Sequence, residues 1–258
     1  MCAEPVFEGS DGRFVASDYS RGPWDPRAMH GGAPAALLVR AFERIPAPEG
    51  LSLARVTYEF VRPVPVGPIE LSAEVVRPGR RVQLLEASIV AGGVEVVRAR
   101  ALQVQVADAS PSAREGAPPP PGPEHGEAIT LPLPHRPMFA FDAIELRFVE
   151  GTWGRGPCKA WFRLKSPIVA GEQPSPLQLL AAAGDFGNGI SATLSWDDYL
   201  YINPDLTLYI EREPVGEWIC LDSQTRIATG GIGIAESVLY DSGGRVGRAT
   251  QALLVAPR

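Results

Sequence analysis

The sequence predicts an α+β fold made of two copies of one unit, each an antiparallel β-sheet wrapped around a central helix. Three observations carry that prediction. An order of two strands, one long helix and four strands occurs twice along the 258 residues. Each copy has one helical segment that is apolar on most faces, and such a helix is buried rather than laid on a surface. The later strands also match residue by residue: Val56 to Gly67 aligns with Leu206 to Gly216, placing Thr57 opposite Thr207 and Arg62 opposite Arg212. A meander of antiparallel hairpins can curl around one buried helix and leave an edge for pairing with the second copy.

In the first copy, residues 4–20 read as two short strands about the turn Gly9 to Gly12, and Arg21 to Pro26 is a loop by its glycine and prolines. His30-Gly31-Gly32 then opens an apolar helix running to Arg44, with backbone N–H groups unobstructed by side chains at its start. Strands follow over 53–61, 69–77, 82–91 and 94–106, separated by Gly- and Pro-containing turns. Residues 107–137 change character. Pro118 to Pro123 is almost all proline, a composition that favours extended polyproline geometry over a core, so this stretch is read as a linker. The domain division is therefore 1–106, linker 107–137 and 138–258, with His125 and His135 in the linker as solvated loop residues. In the second copy, strands over 144–150 and 158–165 precede the helix, and strands over 203–211, 218–227, 232–240 and 246–255 follow it.

That second helix is the chain's most informative stretch. Ser175 reads as its N-cap with Pro176 at the first helical position. Leu177, Leu179, Leu180 and Ala181 to Ala183 make it apolar nearly all round, yet Asp185 stands near its negative end, where a carboxylate is disfavoured. Either Asp185 belongs to the helix or the helix ends by Gly184 and Asp185 caps the next turn. In both cases it is the leading active-site candidate.

Composition narrows the function. A net charge of −6 argues against nucleic acid or an anionic membrane as partner, and no apolar run is long enough to span a bilayer. The first residues show no basic region followed by an apolar one, so a cytoplasmic location without a signal peptide is expected. Cys2, Cys158 and Cys220 are scattered, which fits a reducing compartment and offers no metal-ligand spacing. No metal or organic cofactor is expected. There is no Gly-x-Ser-x-Gly elbow, and Gly230 to Gly233 lacks the third glycine and the strand-to-helix setting of a dinucleotide loop.

The pattern resembles the hotdog fold, and two copies in one chain resemble the double-hotdog acyl-CoA thioesterase, or TesB-like, family. Asp185 matches that family's helix aspartate. Asn203 opens the strand that in the family begins with a catalytic hydroxyl residue, and Gln251 in the last strand matches its catalytic glutamine. His30-Gly31-Gly32 matches the loop that begins the first helix. Asn203 stands where the best-known members carry threonine; an amide can also donate to and accept from a water. Thr207, four residues along the strand, is expected on the same face but roughly 13 Å away. The matched positions in the first copy differ: Ala101 faces Gln251, and Val39 to Phe42 stand where an aspartate would be needed. One composite site across the two copies is the expectation.

The resemblance implies hydrolysis of an acyl-CoA thioester. Asp185 would accept a proton from water or attack directly through an anhydride, Asn203 and Gln251 would hold the water, and Gly31 and Gly32 N–H groups would receive the oxyanion, with His30 orienting substrate. The implied partner is acyl-CoA, and a homodimer of such chains stays open. The alternatives are a non-catalytic acyl-thioester binding protein and a hotdog dehydratase or hydratase, which would want a histidine paired with the acid.

Overall fold

The computed structural model describes residues 4–106, 118–129 and 137–258. The first copy consists of β1 (Phe7–Ser10), β2 (Arg13–Ala16), α1 (Gly32–Glu43), β3 (Leu51–Phe60), β4 (Pro68–Arg77), β5 (Val82–Ala91) and β6 (Val94–Gln105). A short β7 (Glu127–Ala128) follows, then β8 (Ile144–Glu150), β9 (Cys158–Leu164), α2 (Pro176–Gly184), α3 (Gly187–Ile190), β10 (Tyr199–Ile202), β11 (Asp205–Ile210), β12 (Ile219–Ile227), β13 (Ile232–Asp241) and β14 (Gly244–Pro257).

One antiparallel sheet joins both copies in the order β1-β2-β4-β5-β6-β3-β11-β14-β13-β12-β9-β8-β7, with β10 also pairing β14. Read outward from the β3–β11 junction, the copies match strand for strand. The register matches too: Thr57 pairs with Arg100 on β6, and Thr207 pairs with Thr250 on β14, the same rung in each copy. At the junction Thr57 pairs with Thr207, their hydroxyl oxygens 3.3 Å apart. A self-complementary antiparallel contact puts each residue near its own counterpart at the two-fold, and the threonine rung marks that axis.

The inner face of the sheet holds α1 and α2 side by side. Every residue of α1 from Gly32 to Phe42 is buried, as its all-round apolar pattern requires. Arg40 is among them at 5 % exposure, and its guanidinium donates to Glu172 at 2.6 and 2.5 Å, with Arg44 adding a third bond at 2.9 Å. Glu43, at the end of α1, receives Ser175 Oγ at 2.5 Å and Gln178 Nε2 at 2.8 Å from the start of α2. Each bond ties one copy to the other.

Strand and helix bounds fall within a few residues of the expectations, and three further features stand out. The strand expected over 203–211 is β11, and a separate strand that the sequence reading did not assign, β10, precedes it, the two parted by a bulge at Asn203 and Pro204. Second, Cys158 and Cys220 are buried free thiols, pushed up to about 12 for Cys158 and higher for Cys220, each chiefly by burial. Third, the described part of the proline-rich segment is docked on protein. Trp161 Nε1 donates to the Pro121 carbonyl at 2.7 Å, Arg147 reaches the Pro123 carbonyl at 3.3 Å, and β7 adds a rung beside β8. Polyproline carbonyls cannot be satisfied within their own segment, and an indole N–H on the outer sheet face takes one of them. His125, expected in loop, ends a single 3-10 turn over Pro123–His125 and is exposed beside Glu124. Cys2, His135 and residues 107–117 and 130–136 lie outside the described residues. No described helix is long and apolar enough to cross a membrane.

Candidate active site

Ser175 caps α2 by accepting the Gln178 N–H at 3.1 Å, and the helix runs to Gly184. Asp185 is its C-cap, so the helix ends before the aspartate while still delivering it inward. A glycine is needed at 184 because a Cβ there would stand 2.6 Å from Leu208 Cδ2. The Asp185 side chain is 4 % exposed. Its Oδ1 accepts from Asn203 Nδ2 at 2.8 Å and from Gln251 Nε2 at 3.2 Å, and Gln251 Nε2 also reaches the Asp185 carbonyl at 3.2 Å.

The short helix α3 fixes the orientation of that glutamine. Gln251 Oε1 accepts the Asn188 backbone N–H at 3.2 Å, so its amide NH2 must face the aspartate. Asn188 in turn donates from Nδ2 to the Tyr201 carbonyl at 3.3 Å and lies 3.5 Å from Asn203 Oδ1. The sequence reading missed Asn188. Its placement between two glycines, three residues after the aspartate, was the available signal.

Asn203 reaches inward because of the bulge. Ile202 pairs with Leu254 and Thr207 with Thr250, a register that slips by one residue between them, and β3 slips at the matching place between Leu53 and Arg55. One inserted residue inverts the in–out alternation beyond it. Leu206 and Leu208 therefore point into the core at 0 % exposure, and Thr207 faces outward beside Thr57. The expectation that Thr207 shares the face of Asn203 fails for this reason.

His30, Gly31 and Gly32 arrive from the other copy. His30 Nδ1 lies 3.0 Å from Asp185 Oδ2, and its ring stacks on Phe186 with centroids 4.3 Å apart and leans on Phe139. The Gly32 N–H also points at His30 Nδ1, at 3.1 Å. One ring nitrogen can serve only one of these partners. The tautomer with a proton on Nδ1 is the one that donates to Asp185 Oδ2. Nε2 then carries the free lone pair. Gly31 has ordinary helical dihedrals, so its requirement for glycine is contact. A Cβ there would lie 2.8 and 3.0 Å from the two Asp185 carboxylate oxygens. No described group accepts from the Gly31 N–H, whereas that of Gly32 is turned to the imidazole.

The six residues expected at the site thus come together: Asn203, Gln251, His30 and Gly31 reach the Asp185 carboxylate, and Gly32 reaches His30. Nearby, Tyr58 donates to the Ala35 carbonyl at 3.3 Å; burial, reinforced by Asp185, pushes its phenol well up, so it stays a neutral donor. An aromatic wall continues from the site. Trp24 stacks on Trp196 at 4.3 Å, and both meet the ring of Tyr201 edge-on. Among the described residues, no cluster of His, Cys, Asp and Glu could hold a metal ion.

The family models settle where this arrangement belongs. One for the acyl-CoA thioesterase C-terminal domain matches residues 111–255, and one for the N-terminal domain matches residues 20–104. This chain belongs to the acyl-CoA thioesterase family. No curated protein sequence matches it. Solved structures share its fold over nearly the whole length. A candidate thioesterase from Novosphingobium aromaticivorans is 23 % identical with a TM-score of 0.74, covering 98 % of this chain and 99 % of its own. A hot dog protein of unknown function from Alicyclobacillus acidocaldarius is 17 % identical at 0.74, covering 98 % and 95 %. Acyl-CoA thioesterase II TesB2 from Mycobacterium marinum is 18 % identical at 0.69, covering 98 % and 96 %. The fold of this thioesterase-family chain is the double hotdog.

Proposed function

We propose that this protein hydrolyses the thioester of an acyl-CoA to the free acid and CoA, using a water held at Asp185, Asn203 and Gln251. One observation carries the reading. A buried carboxylate is fixed at both oxygens by Asn203, Gln251 and His30, and only the second copy has this set, since Leu53 and Ala101 stand on the matching rungs of the first. Asp185 takes a proton from the water as its oxygen attacks the thioester carbon, and the Gly31 N–H faces the oxyanion that forms. Collapse of that intermediate breaks the C–S bond, and the thiolate leaves with the proton returned from the Asp185–His30 pair. Direct attack by the carboxylate through an anhydride would use the same atoms. No cofactor enters the scheme.

The test is release of CoA thiol from acyl-CoAs of several chain lengths. Asp185→Asn keeps the shape and removes the base, so turnover falls by at least about 10²-fold, the lower end for a positioned base. Gln251→Ala also loses turnover. Thr57→Ala, on the outer face, does not. A wild type that binds acyl-CoA and never turns it over defeats the proposal in favour of a binding protein.

The His30–Asp185 contact favours a second reading, dehydration of a 3-hydroxyacyl thioester or its reverse. An imidazole would move the proton next to the carbonyl, and the acid would serve the departing hydroxyl. Formation of a conjugated enoyl thioester from a 3-hydroxyacyl-CoA, without thiol release, would establish it over hydrolysis.

A further inference from the structure

The internal two-fold creates a second place where the same elements meet. Asp185, at the end of α2, touches His30 and Gly31 at the start of α1; Glu43, at the end of α1, touches Ser175 and Gln178 at the start of α2. Leu53 holds the position of Asn203 beside the matching bulge, and Ala101 holds the position of Gln251. The hydrolytic amides are gone from this twin, yet the space is not filled. A cavity of about 380 Å³ opens there, lined by Glu43, Ile45, Leu53, Gln103, Leu177 and Glu213. That volume lies within the range of small-molecule sites, about 300–1,000 Å³.

Its wall contains a polar group that the fold itself does not satisfy. Gln103 is 5 % exposed and Gln83 is 3 % exposed. Gln83 Nε2 donates to Gln103 Oε1 at 3.1 Å, and no described group accepts from the amide NH2 of Gln103. That NH2 is open to the cavity rather than sealed in the core, so a carbonyl entering the cavity can accept from it. The rest of the lining is complementary in kind. Leu53, Leu177 and Ile45 offer apolar contact, and the Glu213 carboxylate offers an acceptor, both Glu43 oxygens being engaged by Ser175 and Gln178. A linear ligand with methylene segments between amide groups matches that order: a carbonyl toward Gln103, an N–H toward a carboxylate, and the chain along the leucines.

We propose that this cavity is a second ligand site, taking the pantetheine arm of CoA or acyl-CoA and binding it without hydrolysis. The ligand class rests on the reading of the Asp185 site as an acyl-CoA site. The cavity and its unpartnered amide do not.

The test is calorimetric titration of the full chain with CoA, which has no thioester to turn over. Two equivalents per chain are expected for the wild type and for Asp185→Asn. Leu53→Phe, which pushes a ring into the cavity, and the double variant Gln83→Leu with Gln103→Leu, which removes both buried amides together, should each bind one. A wild type that binds one equivalent or none overturns the proposal, as do two equivalents in both cavity variants with native melting. If neither variant folds, the wild-type count decides alone. A chain that binds two equivalents but hydrolyses no acyl-CoA defeats the catalytic reading and leaves the second site standing; one that hydrolyses acyl-CoA and binds a single equivalent does the reverse.

Discussion

Gly31→Ala separates activity from stability at this site. The backbone at Gly31 has φ −58° and ψ −25°, so alanine can adopt it freely, and fewer unfolded conformations would by themselves favour the variant by about 0.4–1 kcal/mol. The added methyl, however, would stand 2.8 Å from Asp185 Oδ2, 3.0 Å from Oδ1 and 2.9 Å from Phe60 Cζ. Ordinary contact requires about 3.5 Å or more, so the carboxylate must retreat by roughly half an ångström or more. All three atoms it meets are side-chain ends, which limits the overpacking cost to about 1–3 kcal/mol, partly offset by the backbone gain. Catalysis has no such relief, because Asn203, Gln251 and His30 all aim at the original carboxylate position. A misplacement near 1 Å costs on the order of 10² in rate. The expected result is acyl-CoA thiol release down roughly 10- to 100-fold with a melting temperature within a few degrees of wild type. Gly32→Ala is the contrast: its methyl would meet the Ala182 carbonyl at 2.5 Å, a backbone atom of α2 that cannot swing aside, so stability falls first. Wild-type turnover in a well-folded Gly31→Ala would refute the idea that the Asp185 carboxylate must stay where it is.

Asn203→Leu installs the residue of the twin position and leaves Asp185 Oδ1 to Gln251 alone, so turnover should fall about 10²-fold, the loss typical of one aligned donor; Asn203→Thr should keep most of it, and equal rates for the two would show that no donor is needed there. Glu172→Ala strands the buried Arg40 guanidinium, and urea titration should show a loss of about 3 kcal/mol, well above that of an exposed ion pair. Asp241 is fully buried; burial alone would push it up, but Arg212 and the N–H groups of Val215 and Gly243 hold it below the usual aspartate range. Its stabilisation is therefore complete above its unfolded pKa, near about 3.9, and is lost as pH falls through the lower folded value. Asp241→Asn should cost about 1–3 kcal/mol at neutral pH, and the difference from wild type should shrink in acid; a difference that grows on acidification would contradict the assignment.

The repeat was legible because both copies keep the same rung at Thr57 and Thr207, and a two-fold register constrains paired strands more tightly than it constrains loops. Asp185 and Gln251 were legible as polar residues on one copy only, and Asn203 by its resemblance to the family's strand opening. The partnership of His30 with Asp185 was not, since it depends on how two helices cross between copies far apart in sequence. The bulge at Asn203-Pro204 was missed because no strand was assigned to Tyr199–Ile202 before it, and its outcome, Thr207 facing outward, needs the register on β14 to be known. The docking of Pro121 on Trp161 was missed for a related reason. Composition shows that a segment has no core of its own, but not that another surface will take its carbonyls.

The β3–β11 junction has a further consequence, because the two copies it joins are one covalent chain. A tether of a few dozen residues holds its two ends at an effective concentration on the order of millimolar, whatever the amount of protein in solution. Dilution, which dissociates a pair of separate subunits, therefore has no hold on this contact. In such a pair each substitution would also be made twice, once on either side of the axis, and an aspartate gained at one helix end would appear at the other. The tether removes that obligation. One helix can end in Asp185 and the other in Glu43, and Gln251 can face the carboxylate while Ala101 does not.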